Sequence, residues 1–233
     1  MTIHVPLSVN KRGVLVIHPG ALGDVLLARP ALSAIRNQFP QHEIALLAGE
    51  SVGMLLCGAG EVDRVFRLES TYLSELWAGL DSLRSEFKVW LQNCDVAVGW
   101  LPDTDGILAA TLRVSGVQYT CLKSASSADL HAEHQAARYL AAIQLSGINQ
   151  MVGTPLVLSP IIREQGRRIL EGLIRENRQP VVVIHPGSGS SHKCIEAQRL
   201  VPVIDWLLQA DMAPLLLEGP SDREAVERVL ATI

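Results

Sequence analysis

A carboxylate and a lysine stand in matching contexts in the two halves of this chain. Asp24 closes the run Gly20-Ala21-Leu22-Gly23-Asp24, and Lys193 closes Gly187-Ser188-Gly189-Ser190-Ser191-His192-Lys193. Each run begins in the same tripeptide, His-Pro-Gly, at residues 18–20 and 185–187. A carboxylate held beside a bound hydroxyl can take its proton. An Asp near a helix start is also a common cap, and one bonded to backbone N–H groups is a weaker base. Successive N–H groups in a Ser/Gly loop form a nest for an anion, and a lysine adds a point charge against a phosphate. The G-x-x-G spacing of Gly20 and Gly23 departs from the G-x-G-x-x-G of dinucleotide folds, so nicotinamide binding is not indicated.

Both runs need a strand behind them and a helix in front. Val14-Leu15-Val16-Ile17 and Val181-Val182-Val183-Ile184 are unbroken aliphatic runs ended by turn residues, the pattern of a parallel strand buried on both faces. A Gly-rich turn that opens a helix then presents N–H groups at the strand's carboxyl end. Further strands are expected at 43–48, 62–68, 96–100 and 117–122 beside the first at 13–18, with helices at 24–38, 51–56, 71–88, 104–114 and 131–145. That alternation means right-handed crossovers and a mostly parallel sheet. A helix at 161–178, the second aliphatic strand, a helix at 196–209, a strand at 214–218 and a helix at 222–231 follow. The expected fold is α/β, two Rossmann-like domains facing a cleft. The first spans 1–153, the second 181–233, and 154–180 connects them, punctuated by Thr154-Pro155 and Ser159-Pro160. Two strands make a short sheet with edges left to cover, so the second domain reads as incomplete.

Composition narrows the classes. The chain has 233 residues with a net charge of −4, which lacks the basic excess of a general nucleic-acid binder. Cys57, Cys94, Cys121 and Cys194 are scattered without a C-x-x-C pair, a pattern of reduced cytoplasmic proteins rather than disulfide frames or zinc sites. No apolar run approaches the roughly 20 residues of a membrane span.

Weaker candidates remain. Trp100 and Asp103 follow the 96–100 strand at the edge where open α/β sheets place ligands, so they could touch an acceptor, although Asp103 and Asp105 equally suit the cap of the next helix. His131 and His134 have a spacing that permits metal binding, but with only Glu133 nearby a helix start is the better reading. His18 and His185 read as turn histidines, and Arg163, Arg167, Arg168 and Arg175 as a solvated face.

The stretch from Gly23-Asp24-Val25-Leu26-Leu27-Ala28-Arg29-Pro30 to Leu32 resembles the N-terminal signature of the family-nine glycosyltransferases, the bacterial heptosyltransferases of lipopolysaccharide core assembly. His185-Pro186-Gly187-Ser188-Gly189-Ser190 with Lys193 resembles the start of their donor domain, and Leu215-Leu216-Leu217-Glu218-Gly219-Pro220 with Asp222-Arg223-Glu224 the strand and loop after it. The resemblance implies a GT-B fold and an inverting transfer that needs no metal and no cofactor. The donor would be a nucleotide-diphosphate sugar, an ADP-sugar by preference. The acceptor would be a cell-surface glycan or glycolipid, met in the cytoplasm with room for contact at the inner membrane face.

By the same resemblance Asp24 is the general base, with Gly23 beside it on the acceptor side. Ser188, Gly189 and Lys193 hold the diphosphate, and Glu218, Asp222 and Glu224 lie toward the nucleoside. Two departures stand out: Cys194-Ile195-Glu196 replaces a polar or aromatic residue and Trp-Pro, and the later Asp-Ser/Thr-Gly and His motif does not occur. They keep open a second reading, a catalytically silent relative acting as a binding module. A sugar-nucleotide epimerase of the same fold fits the Gly23-Asp24 signature less well. Residues 1–150 carry 11 Lys+Arg against 14 Asp+Glu, which favours an acceptor less anionic than a lipopolysaccharide core.

Overall fold

Five hydrophobic segments of the N-terminal half pair in a single parallel sheet. A computed structural model of the protein describes residues 13–124, 134–143, 155–174, 180–188, 193–219 and 222–232. The chain divides into two units after Ile162. In the first, β1 (Gly13–Ile17), β2 (Glu43–Ala48), β3 (Arg64–Arg67), β4 (Cys94–Gly99) and β5 (Tyr119–Leu122) run in the order β3-β2-β1-β4-β5. β1 is central, and no residue of it is exposed. Alternate side chains explain why. Val14 and Val16 face one core with Ile44, Leu46, Val96 and Val98. Leu15 and Ile17 face the other with Ala45, Leu47 and Ala97. Period-two alternation with both faces apolar requires helices on both sides.

The first core is closed by α1 (Leu22–Leu27), α2 (Arg29–Gln38), α3 (Glu50–Gly58) and α7 (Gln135–Ala142). The second is closed by α4 (Tyr72–Ala78), α5 (Ser85–Gln92) and α6 (Ile107–Val114).

Two expected helices are each divided. The helix expected at 24–38 becomes α1 and α2, which meet at Ala28. Pro30 has no N–H to continue the first ladder, and it sits in the first turn of α2, where none is needed. Arg29 then grips Glu61 through Nε and Nη2 at 2.5–3.0 Å, fixing the start of α2 to the turn after α3. The helix expected at 71–88 is broken at Gly79, whose φ of +98° ends α4. Arg84, beyond the break, bonds Glu75 at 2.9 Å and stacks 4.1 Å over the Tyr72 ring, and these bonds hold the Glu75 carboxyl down at about 2.

In the second unit β6 (Val181–Ile184) pairs in parallel with β7 (Ala213–Leu216), alongside α9 (Ala197–Gln209) and α10 (Arg223–Leu230). α8 (Pro160–Leu173) crosses the boundary between the units. Ile184 and Leu216 pack on Leu200, Ile204 and Val229. Burial of β6 on both faces, expected from its four aliphatic residues, is not what the fold provides. Val183 is 54% exposed and Val181 37%, because among the described residues helices cover only one face of the two-stranded sheet. An aliphatic run reports strand propensity, and its burial depends on what the rest of the chain supplies.

Truncating the two kinds of strand position should differ sharply. Leu46→Ala, at a fully buried site, is expected to lower the unfolding free energy of its unit by about 2–5 kcal/mol. Val183→Ala should change its own by about 0.5 kcal/mol or less. Urea denaturation of the two variants checks both values.

Candidate functional site

Strand order locates the first site. In a β3-β2-β1-β4-β5 sheet the chain leaves β1 toward one side and β4 toward the other, which opens a crevice beyond their carboxyl ends. The N–H of His18 bonds Leu47 O at 2.9 Å and that of Trp100 bonds Ile17 O at 3.0 Å, so both exits are fixed to the sheet. His-Pro-Gly follows β1, and Trp100 follows β4.

His18 is buried in an aromatic cage. Its ring centroid lies 5.2 Å from Trp100 and 5.0 Å from Tyr139 of α7, with those two rings 5.4 Å apart. Nδ1 accepts the N–H of Gly20 at 3.1 Å, which leaves the proton on Nε2, a buried atom without a hydrogen-bond partner among the described residues. Burial lowers the imidazole pKa from 6.5 to about 4, against a smaller opposing pull from the Asp24 charge. The histidine is therefore neutral and holds the turn. Gly20 is required there, since a Cβ would stand 2.7 Å from His18 Cε1 and 3.0 Å from Asp24 Cβ.

Asp24 sits at the third position of α1, four residues past Gly20 of that turn. It is exposed, and the helix is preceded by Ala21 at the N-cap with no side-chain cap bond. Among the described residues its carboxylate makes no hydrogen bond, so the cap reading does not hold. Burial above all raises the Tyr139 hydroxyl pKa, with a hydrogen bond to Gln135 opposing it and the Asp24 charge adding to it. Gly23 has nothing within 4 Å of where a Cβ would be, so the fold itself does not require glycine there.

Trp100 and Asp103 do not reach outward. Trp100 is buried, and its indole N–H donates to Tyr139 O at 2.9 Å. Asp103 accepts the N–H groups of Leu108 at 3.1 Å and Ala109 at 2.9 Å, which makes it the cap of α6. His134 caps α7, its Nδ1 accepting the N–H of Ala136 at 3.2 Å, while His131 lies outside the described residues. Arg167 and Arg168 of α8 pair with Glu164 in a solvated network. Among the described residues no three metal-ligating side chains gather.

The second His-Pro-Gly ends β6. His185 Nε2 lies 2.6 Å from Asp222 Oδ2, an oxygen that also accepts the Gly219 N–H at 3.0 Å. The bond from His185 is the main cause that holds the Asp222 carboxyl below the usual range. Asp222, expected toward a nucleoside, is thus buried and turned inward at the start of α10. Ser188 is half-buried, Lys193 and Glu218 are exposed, and Glu224 pairs with Arg228 at 2.8 Å. Gly189 lies outside the described residues. Neither the aromatic cage nor the His185–Asp222 bond is foreseen by the sequence reading. The repeated His-Pro-Gly is the one signal that marks both.

This is a GT-B-like α/β fold. No protein-family model and no curated protein matches the sequence. Among solved structures, a family-nine glycosyl transferase from Veillonella parvula superposes with a TM-score of 0.75 at 17% identity, over 97% of this chain and 69% of that one. The E. coli ADP-heptose LPS heptosyltransferase II gives 0.68 at 18%, over 95% and 69%. An E. coli heptosyltransferase solved with ADP gives 0.60 at 14%, over 93% and 70%. At such identities the likeness is one of fold.

The buried neutral histidine has a stability consequence. A pKa of about 4 in the folded protein against 6.5 unfolded means that the unfolded chain binds the extra proton between those values. His18 therefore leaves stability intact above pH 6.5 and removes up to about 3 kcal/mol as pH falls toward 4. Denaturation at several pH values should show His18→Gln lacking that acid-side loss. An identical profile in both proteins would refute the buried neutral state.

Proposed function

We propose that this chain is a glycosyltransferase of the heptosyltransferase type, moving a sugar from a nucleotide-diphosphate donor to a glycan or glycolipid acceptor with inversion. The observation that carries the reading is Asp24, an exposed carboxylate without a hydrogen bond among the described residues, at the switch point of a GT-B-like fold. Two structural neighbours, an ADP-heptose LPS heptosyltransferase and a heptosyltransferase solved with ADP, favour an ADP-sugar as donor.

In this account the first unit takes the acceptor. The acceptor oxygen attacks the anomeric carbon from the face opposite the diphosphate, forming one C–O bond as the other breaks. Its proton passes to the Asp24 carboxylate, and the displaced electron pair stays on the nucleoside diphosphate. Ser188, Gly189 and Lys193 receive that charge through N–H groups and an ammonium. Glu218, exposed just after β7, would lie toward the nucleoside. Lys193 occupies the electrostatic role that a divalent ion fills in other transferases, so no metal is assigned. No described helix is long and apolar enough to cross a membrane. A glycolipid acceptor would be met by peripheral contact at the inner membrane face, from the cytoplasm.

Calorimetric titration with ADP, UDP and GDP should show saturable binding of ADP, weakened by Lys193→Ala by roughly 10–100-fold. Asp24→Asn should leave that affinity unchanged and lower kcat for transfer by about 10²–10⁴-fold. Absence of binding to every nucleotide would contradict the reading. Turnover should also survive EDTA, and loss of activity restored by added divalent metal would overturn the metal-free assignment.

A further inference from the structure

The helix that bears Asp24 has little of its own to hold it in place. α1 is six residues long, Val25 is its one buried residue, and Ala21 at its N-cap offers no side-chain bond. So short a helix gains little from its own ladder, and its position is set by its tethers. At the far end it runs into α2, whose start the Arg29–Glu61 pair fixes. At the near end the tether is His18. The His18 backbone N–H bonds Leu47 O of β2 at 2.9 Å, and Nδ1 accepts the Gly20 N–H at 3.1 Å. Trp100 and Tyr139 lie against the ring at 5.2 and 5.0 Å between centroids, and the bond from the Trp100 indole to Tyr139 O joins the two walls.

The imidazole and Asp24 close on the same side of Gly20. A Cβ there would meet His18 Cε1 at 2.7 Å, His18 Nδ1 at 3.0 Å and Asp24 Cβ at 3.0 Å, so only a glycine hydrogen fits between the ring and the root of the Asp24 side chain. The histidine is also a costly choice. Its Nε2 is buried without a hydrogen-bond partner among the described residues, and an unpaired buried N–H weakens a fold. A leucine would fill the same cage without that penalty, so packing alone does not account for a histidine. We propose that His18 is a positioning residue for the transfer: through the Nδ1 bond to Gly20 it sets where α1 begins, and so where the Asp24 carboxylate stands against an acceptor hydroxyl. The inference rests on the reading of Asp24 as the base. His18 itself passes no proton.

Two variants of the whole chain separate positioning from packing. His18→Leu fills the cage and removes the unpaired N–H, but takes away the acceptor for Gly20. His18→Asn keeps an acceptor on the same carbon, Oδ1 in place of Nδ1, and leaves the cage underfilled. Turnover is read as ADP released from ADP-heptose with water as acceptor: the water oxygen bonds the anomeric carbon, its proton passes to Asp24, and the bond to ADP breaks. His18→Leu should unfold at or above the wild-type urea midpoint yet lose about 10²-fold in kcat, with Asp24 displaced by about 1 Å against β1 in its crystal structure. Its KM for ADP-heptose should stay within about threefold of wild type, since the donor is assigned to the second unit. His18→Asn should unfold at lower urea, recover most of that kcat and keep Asp24 in place. Wild-type kcat in His18→Leu, or a loss in His18→Asn as large as in His18→Leu, would overturn the inference, and a loss of turnover in Asp24→Asn would then leave the base reading standing. Wild-type turnover in Asp24→Asn, or no ADP release by the wild type, would overturn both.

Discussion

Everything at the first site depends on the burial of β1. Its four aliphatic side chains alternate between two cores and are wholly removed from water on both faces. At roughly 25 cal/mol per Å² of apolar surface, that is a large part of what holds the unit's centre in place. The constraint also decides where chemistry can occur. A strand paired on both edges and covered on both faces has only its ends free, and the carboxyl end lies where β1 and β4 diverge. The turns that carry His18 and Trp100 leave the sheet there, and Tyr139 of α7 packs against both rings.

The chain uses one tripeptide in two physically different ways. After β1, the imidazole is packed among aromatics, accepts a backbone N–H from its own turn and stays neutral. It stiffens the turn that leads to Asp24 and contributes no charge of its own. After β6, the imidazole stands at a solvated edge with a buried carboxylate behind it. Proline and glycine shape both turns alike, and the environment sets the electrostatics. The same division runs through the Gly23-to-Leu32 stretch. Gly23 and Asp24 face outward at the start of α1, while Arg29 and Pro30 build the start of α2 through the Glu61 pair and the missing N–H.

Much of this architecture was legible from hydrophobic pattern. The strand expected at 43–48 matches β2, and the alternation of strands and helices led to a parallel sheet because crossover connections permit little else. Asp24 was legible as a carboxylate at a strand's carboxyl end. What escaped depends on contacts remote in sequence. Periodicity did not reveal that Gly79 would adopt a positive φ within an amphipathic stretch, since the Arg84–Glu75 pair that favours the break is tertiary. Asp103 closes on α6 as the local spacing allowed, but spacing did not reveal that Asp222 would turn toward His185, because the partner of that acid lies 37 residues away. Exposure of β6 escaped for the same reason.

The central claim is a division of labour, in which the edge of β6 takes the nucleotide and the edge of β1 and β4 keeps Asp24 free for an acceptor. A crystal structure of the chain soaked with ADP tests it most directly, because both edges end in the same tripeptide, a glycine-bearing turn and a helix. The account predicts the diphosphate against Ser188 and Lys193, with the Asp24 carboxylate uncovered. A diphosphate seated instead at the start of α1, with Asp24 turned away from it, would contradict the account.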